Sequence, residues 1–171
     1  PLELLMLLDP DVASGRVTLY PWQVQYMIDF ADEKWTDVCP FQSLVQACNG
    51  SGKDKYIIAP CAVWLGMRHC EASSVITSSS GVQLDNQTDS YIKQLCEAAN
   101  RHPLFLAVTS GKAVWKINYR YYECLPTKSP LFLYATDEPG KAEGYHPLRS
   151  GAKMGLFQSE AKTVPDEINV A

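Results

Sequence analysis

Positive charge is not in excess in this 171-residue sequence: fifteen Lys and Arg stand against nineteen Asp and Glu, for a net charge of -4 and a pI near 5.3. A protein that grips nucleic acid mainly through a basic face normally has the opposite balance, so composition alone neither supports nor excludes a polyanionic partner. Clustered metal ligands are missing as well. The six cysteines at 39, 48, 61, 70, 96 and 124 form no Cys-x-x-Cys pair and no Cys/His group, and there are only three histidines. The expectation is free thiols in a reducing cytoplasm rather than disulfides or zinc. Long apolar runs are also lacking. Residues 2–8 are apolar but interrupted by Glu3, have no basic lead and are too short to span a bilayer, so neither a signal peptide nor a membrane segment is expected. An initiator methionine is absent too; the sequence opens on Pro1 and stops at Ala171, as a fragment would.

What is present is an ordinary globular composition, 46% hydrophobic and 20% charged, with enough chain for one well-filled core. The reading is a single domain over 1–171, with 1–18 as an N-terminal arm. Its most informative stretch is Ser43-Leu44-Val45-Gln46-Ala47-Cys48-Asn49-Gly50-Ser51-Gly52-Lys53-Asp54. A short apolar run breaks there into a small, glycine-rich turn ending in Gly-Lys. Such a turn lets successive backbone amides point inward at a polyphosphate, and the N-terminus of the following helix adds its partial positive charge. Lys53 would reach the β and γ phosphates. The full phosphate-loop signature wants glycine where Ala47 stands and serine or threonine where Asp54 stands. A bare Gly-Ser-Gly-Lys is equally the mark of a glycine turn at a helix end, so the flanking residues must decide.

Upstream, Tyr20-Pro21-Trp22-Gln23 leads into Val24, Met27, Ile28 and Phe30, a helical spacing with proline in its first turn, predicting a helix over 22–34. A glutamine in such a turn can read the donor and acceptor edge of adenine while Tyr20 or Trp22 packs on the base; the alternative is a plain helix start with core aromatics. Downstream, Leu44 and Val45 predict a strand feeding the loop. Residues 53–67 predict a helix kinked by Pro60, 74–77 a second strand, and 82–100 a long amphipathic helix. This alternation is the rhythm of a largely parallel sheet. The later part is β-rich: strands are expected over 104–108 and 113–122 with a hairpin turn at Ser110-Gly111, then over 131–136 and 154–157, with a polar connection over 139–153 and a helix start near 164–168.

A phosphate-loop hydrolase needs carboxylates at the end of a neighbouring strand, one to hold magnesium and one to orient the attacking water. Asp137-Glu138 and Glu160 both follow apolar strands. Local chemistry ranks the first pair higher, because Ser159 stands where an aspartate would precede the catalytic acid.

Five ordered blocks then acquire a joint meaning: Tyr20-Pro21-Trp22-Gln23, Asn49-Gly50-Ser51-Gly52-Lys53, Ile76-Thr77-Ser78-Ser79-Ser80 with Gln83, Ala142-Glu143-Gly144-Tyr145-His146, and Glu160-Ala161-Lys162 with Val164-Pro165-Asp166-Glu167. Together they resemble the ATPase half of phage terminase large subunits, and they cover most of the chain from Tyr20 onward. The resemblance implies a RecA-like P-loop NTPase fold and ATP hydrolysis with magnesium, coupled to moving double-stranded DNA into a capsid. Lys53 and Glu160 would be catalytic. Nucleotide would be held by Tyr20, Gln23, Asn49, Gly50, Ser51, Gly52, Lys53 and Asp54, and the metal would lie by Asp54 and Ser159. It also implies portal and small-subunit partners, a homo-oligomeric ring, no membrane, and a place in the host cytoplasm docked on the procapsid; the family's nuclease half has no counterpart here. Asp54 and Ser159 reverse the family's order of hydroxyl and aspartate, so one expectation is an exchanged pair joined by a hydrogen bond. The alternative is a non-hydrolysing nucleotide-binding or scaffold subunit, and a small-molecule kinase is a third reading. The resemblance leaves the transition-state arginine open among Arg68, Arg101, Arg120 and Arg149.

Overall fold

The computed structural model describes residues 1–32, 41–46, 48, 50–136 and 147–159. Three helices open the chain: α1 (Leu2–Leu8), α2 (Pro10–Ala13) and α3 (Pro21–Ala31). After the glycine turn come a π-helical turn, π1 (Asp54–Ile58), and α4 (Ala59–Arg68). Strand β1 (Ser73–Ser78) follows, then a continuous helical run of α5 (Gly81–Gln83), a second π-helical turn, π2 (Leu84–Asp89), and α6 (Ser90–Arg101). The chain continues through α7 (Pro103–Val108), β2 (Trp115–Asn118), β3 (Tyr121–Cys124), β4 (Ser129–Ala135) and β5 (Met154–Gln158).

The five strands form one sheet in the order β2-β3-β4-β1-β5. β1 runs parallel to both β4 and β5, whereas β2–β3 and β3–β4 are antiparallel. The protein is therefore mixed α/β, and the largely parallel sheet predicted from the alternation of elements is not what forms. The connections supply the reason. Only Tyr119 and Arg120 join β2 to β3 and only residues 125–128 join β3 to β4, which leaves no room for the crossover that a parallel neighbour requires. β1 is the central strand of the parallel trio, and all six of its residues are buried. The near-continuous burial expected of a parallel strand is met here with small hydroxyl residues as well as Val75 and Ile76. Ser74 uses its hydroxyl to donate to the Ala62 carbonyl at 3.2 Å, so α4 rides close over β1.

Helix α4 packs on β1, β3, β4 and β5, α6 packs on α4 and β2, and α1 lies over α4 and α6. Leu4, Leu5 and Leu8 of α1 are buried, Leu5 completely, so α1 contributes to the core. An aromatic group centred on Phe30 joins α3 to the rest: its ring lies 5.8 Å from Trp64 on α4, 6.0 Å from Phe157 on β5 and 5.6 Å from Phe41. Asn100 on α6 holds the start of β2, its Oδ1 accepting from Val114 N and Trp115 N (2.8 and 2.7 Å) while its Nδ2 donates to the Trp115 carbonyl at 2.8 Å.

Several local expectations are corrected. Residues 41–46 form no strand, and Leu44 is 74% exposed. Residues 104–108 are helical in α7: Pro103 occupies the first turn, where its fixed φ and missing N–H cost nothing, and the His102 ring accepts from Leu104 N at 3.3 Å. The Ser110-Gly111 turn does not join two strands. Both residues have positive φ (55° and 80°), and Gly111 N donates to the Leu106 carbonyl at 2.7 Å, the pattern that ends a helix in a left-handed cap. The strand predicted over 113–122 is broken by the Tyr119-Arg120 turn, with Arg120 at φ 53°. The helix predicted over 53–67 is present as the continuous run of π1 and α4, and Pro60 lies inside that run, directly after the π-helical turn. The predicted strands over 74–77, 131–136 and 154–157 are present as β1, β4 and β5, and the predicted helix over 22–34 as α3. The helix start near 164–168 and most of the 139–153 connection lie outside the described residues.

The β2–β3 turn is tied to the helical run by Arg120, whose Nε and Nη2 contact both carboxylate oxygens of Asp85 at 2.7 and 3.0 Å. One turn on, the Tyr122 hydroxyl donates to Asp89 Oδ1 at 2.8 Å. Bonding from Arg120 holds the Asp85 carboxyl below its ordinary value of 3.8, whereas burial raises that of Asp89. A depressed carboxyl stabilises the fold above its unfolded pKa, and that contribution disappears as pH falls through the folded one.

Two outcomes follow for stability. Leu5→Ala removes a fully buried side chain and should lower unfolding free energy by about 2–5 kcal/mol in urea titrations, and an unchanged value would show that α1 adds nothing to the core. Asp85→Asn should cost about 1 kcal/mol near neutral pH, and denaturation repeated at successively lower pH should find the gap to the wild type closing below 3.8.

Candidate functional site

The glycine turn is shaped by backbone geometry that few other residues tolerate. Gly50 and Gly52 have φ of 78° and 75°. A Cβ on Gly52 would meet the Tyr56 ring at 2.5 Å, so this position needs glycine for space as well as for conformation. Ser51 N donates to the Cys48 carbonyl at 3.2 Å, and Lys53 Nζ folds back to donate to the same carbonyl at 3.3 Å. Tyr56 N closes onto the Gly52 carbonyl at 2.8 Å and starts the helical run of π1 and α4. Ser51 Oγ is buried without a hydrogen-bond partner among the described residues.

Gln23 fixes this turn to the core. It is 1% exposed, and its carboxamide bridges two backbone groups: Oε1 accepts from Tyr20 N at 2.9 Å and Nε2 donates to the Ser51 carbonyl at 2.9 Å. The first bond is the reach-back of a helix-capping residue, and the second joins α3 to the loop across 28 residues of sequence. Both ends of the amide that the sequence reading gives to adenine are therefore bonded to protein. Tyr20 is 58% exposed beside it.

Opposite the turn, the helical run after β1 forms the second wall. Gln83, Gln87 and Tyr91, spaced by four, face Gly50, Ser51, Gly52, Lys53, Asp54, Lys55 and Tyr56 across a cleft of about 470 Å³. Because α5 begins three residues after the end of β1, the cleft belongs to the carboxyl end of the parallel strands, the usual ligand side of an α/β sheet. Thr136 N and Ser159 N donate to the carbonyls of Ser78 and Thr77 (2.9 and 2.8 Å), so β4, β1 and β5 end level at this edge.

Charge in the cleft comes from Lys53, Asp54 and Lys55. Lys55 Nζ pairs with Asp9 at 3.3 Å and stands 4.0 Å from Asp11. Burial works against its charge, but the bond to Tyr56 and the Asp9 carboxylate outweigh that and raise its pKa. Asp54 accepts from the Thr88 hydroxyl at 3.2 Å. The expected hydrogen bond between Asp54 and Ser159 is thus replaced by one to Thr88, since π1 and π2 pack directly against each other. Ser159 is 4% exposed and its backbone is pinned to β1.

Among the candidate residues, the structure brings Gln23, Gly50, Ser51, Gly52, Lys53 and Asp54 together. Asn49, Ala47, Asp137, Glu138, His146 and Glu160 lie outside the described residues. Of the candidate arginines, Arg120 is engaged by Asp85, Arg101 stands 3.8 Å from Glu97, and Arg149 bonds Glu71. Sequence reasoning missed Thr88, Gln87, Tyr91 and Tyr56. The four-residue repeat of Gln83, Gln87 and Tyr91 was a usable signal for one polar helix face; Thr88 had none, because its contact depends on a π-turn. No protein-family model, curated protein or solved structure matches this chain.

Gln23→Ala should leave Tyr20 N and the Ser51 carbonyl without their partner and cost about 1–3 kcal/mol by urea denaturation. Hydrogen exchange should localise the effect, with amides of residues 50–54 exchanging faster while those of β1 are unchanged.

Proposed function

We propose that this chain is the ATP-hydrolysing motor domain of a DNA-packaging machine, of the kind found in phage terminase large subunits, and that it couples turnover to the movement of double-stranded DNA. The observation that carries the reading is the turn itself. Two left-handed glycines, a lysine closing over the turn, a helical run leading away and a buried serine hydroxyl with no partner among the described residues stand together at the carboxyl edge of three parallel strands. A backbone concavity of this kind suits an anionic phosphate. The RecA-like arrangement is part of the proposal, and the trio β4-β1-β5 is the element that supports it.

In this reading the amides of residues 49–53 line the β phosphate, and Lys53 swings from the Cys48 carbonyl to the β and γ oxygens. Tyr20 packs on the base, while Gln23 holds the loop from beneath. Asp54 offers a hard oxygen donor beside the phosphates, which suits magnesium, an ion usually held by one or two carboxylates plus substrate phosphates. Bound magnesium would neutralise charge developing between the β and γ oxygens. Glu160 follows β5 and orients the attacking water, with Ser159 pinning that strand end to Thr77. A homo-oligomeric ring on a portal, a small terminase subunit as partner and residence in the host cytoplasm complete the proposal. No helix among the described residues is long and apolar enough to cross a membrane.

A second reading, a nucleotide-binding or scaffold subunit without turnover, is favoured by Asp54 in place of a hydroxyl and by the lack of strand structure in residues 41–46 before the loop. Phosphate release assays separate the two. The motor reading expects Lys53→Ala and Glu160→Gln each to reduce ATP turnover at least a hundredfold, with Glu160→Gln still binding nucleotide. Nucleotide binding by the wild type with no turnover selects the second reading, and turnover indifferent to both substitutions removes the first.

A further inference from the structure

We infer that the Thr88–Asp54 pair is a charge gate that admits a polyphosphate only as its divalent-cation complex, with Thr88 as the positioning residue. This deepens the proposed nucleotide site and rests on that reading. Asp54 is the first residue after the loop lysine and opens π1, while Thr88 lies in π2 and is 1% exposed. The extra residue in each π-turn brings a hydroxyl on one segment to a carboxylate on the other, at 3.2 Å. Such single-turn bulges are uncommon and concentrate at functional sites, and here two of them line a single cleft.

The consequences are electrostatic. The cleft presents a fixed negative charge within one residue of the lysine that would meet the phosphates. Lys55, on its other side, is drawn to Asp9 at 3.3 Å and so is oriented toward α2. A bare triphosphate entering this site meets repulsion from the Asp54 carboxylate directly beside Lys53. A divalent cation between Asp54 and the phosphate oxygens reverses the sign of that interaction. Thr88 contributes through Asp54: by donating to Oδ1 it fixes the carboxylate plane and leaves Oδ2, which has no hydrogen-bond partner among the described residues, to meet the cation. The loop thereby replaces the usual direct hydroxyl ligand with a carboxylate that a buried hydroxyl orients from the neighbouring helix.

Equilibrium binding of a fluorescent ATP analogue to the full chain, measured in excess magnesium and again in EDTA, tests this. Wild type should bind at least tenfold more tightly with magnesium. Asp54→Asn should gain about tenfold in EDTA and lose most of that ratio. Thr88→Val should lose about tenfold with magnesium and little in EDTA, while Thr88→Ser, which keeps the hydroxyl and guards against a packing artefact, should behave as wild type. An unchanged magnesium-to-EDTA ratio in Asp54→Asn, or a Thr88→Val indistinguishable from wild type, overturns the gate and leaves the nucleotide site standing. Absence of binding by wild type and Asp54→Asn under both conditions overturns the nucleotide reading and the gate with it.

Discussion

The bridge made by the Gln23 carboxamide is the constraint on which the site depends. A glycine turn has little conformational preference of its own, and the residues before it, 41–46, form neither helix nor strand. What gives the turn a place is a buried amide whose two ends meet the Tyr20 N–H and the Ser51 carbonyl. Because a buried polar group without a partner is costly, the amide cannot leave one of these bonds without an equivalent replacement. The position of α3 is therefore passed directly to the loop. α3 is in turn held by Phe30 among Trp64, Phe157 and Phe41, so the loop is referenced to α4 and to β5 by a chain of packed rings.

The opposite wall is referenced to the sheet by a different kind of contact. Asp85, Thr88 and Asp89 in and around π2 bond respectively to Arg120 on the β2–β3 turn, Asp54 on π1 and Tyr122 on β3. Three polar contacts from one turn of helix lock the cleft between the antiparallel part of the sheet and the loop. This explains why a hairpin far from the glycine turn in sequence matters to it: the hairpin sets the rotation of the helical run that carries Gln83, Gln87 and Tyr91 into the cleft. It also gives the antiparallel extension a role in shaping the site, since β2 and β3 brace the helices that a purely parallel sheet would leave without that support.

Elements whose local pattern agrees with their burial were legible from residues alone. β1, β4 and β5 are short apolar or small-residue runs bounded by turn formers, and α1, α3 and α6 have helical apolar spacing. The failures share a cause. Residues 104–108 are apolar, but none of α7 is buried, so an expectation that equates an apolar run with a core strand misreads a short helix begun by Pro103. Residues 113–122 alternate well enough for one strand, yet Arg120 adopts a left-handed backbone that no propensity for arginine suggests, stabilised by its two bonds to Asp85. Leu44 and Val45 look like a strand, but without pairing partners in the sheet a strand pattern remains irregular chain.

Sequence by itself determined the glycines at 50 and 52, the lysine that follows them and the presence of a glutamine three residues into a proline-started helix, because each depends on backbone geometry within a few residues. It also determined which strands could be buried, through their small and branched side chains. Only the tertiary structure decided that Asp54 meets Thr88 rather than Ser159, that Gln23 bonds a loop carbonyl, and that half of the strand pairings are antiparallel. Those outcomes depend on two π-turns and on the length of connections between strands, which set which distant side chains come within 3.5 Å of one another, and no local pattern encodes that distance.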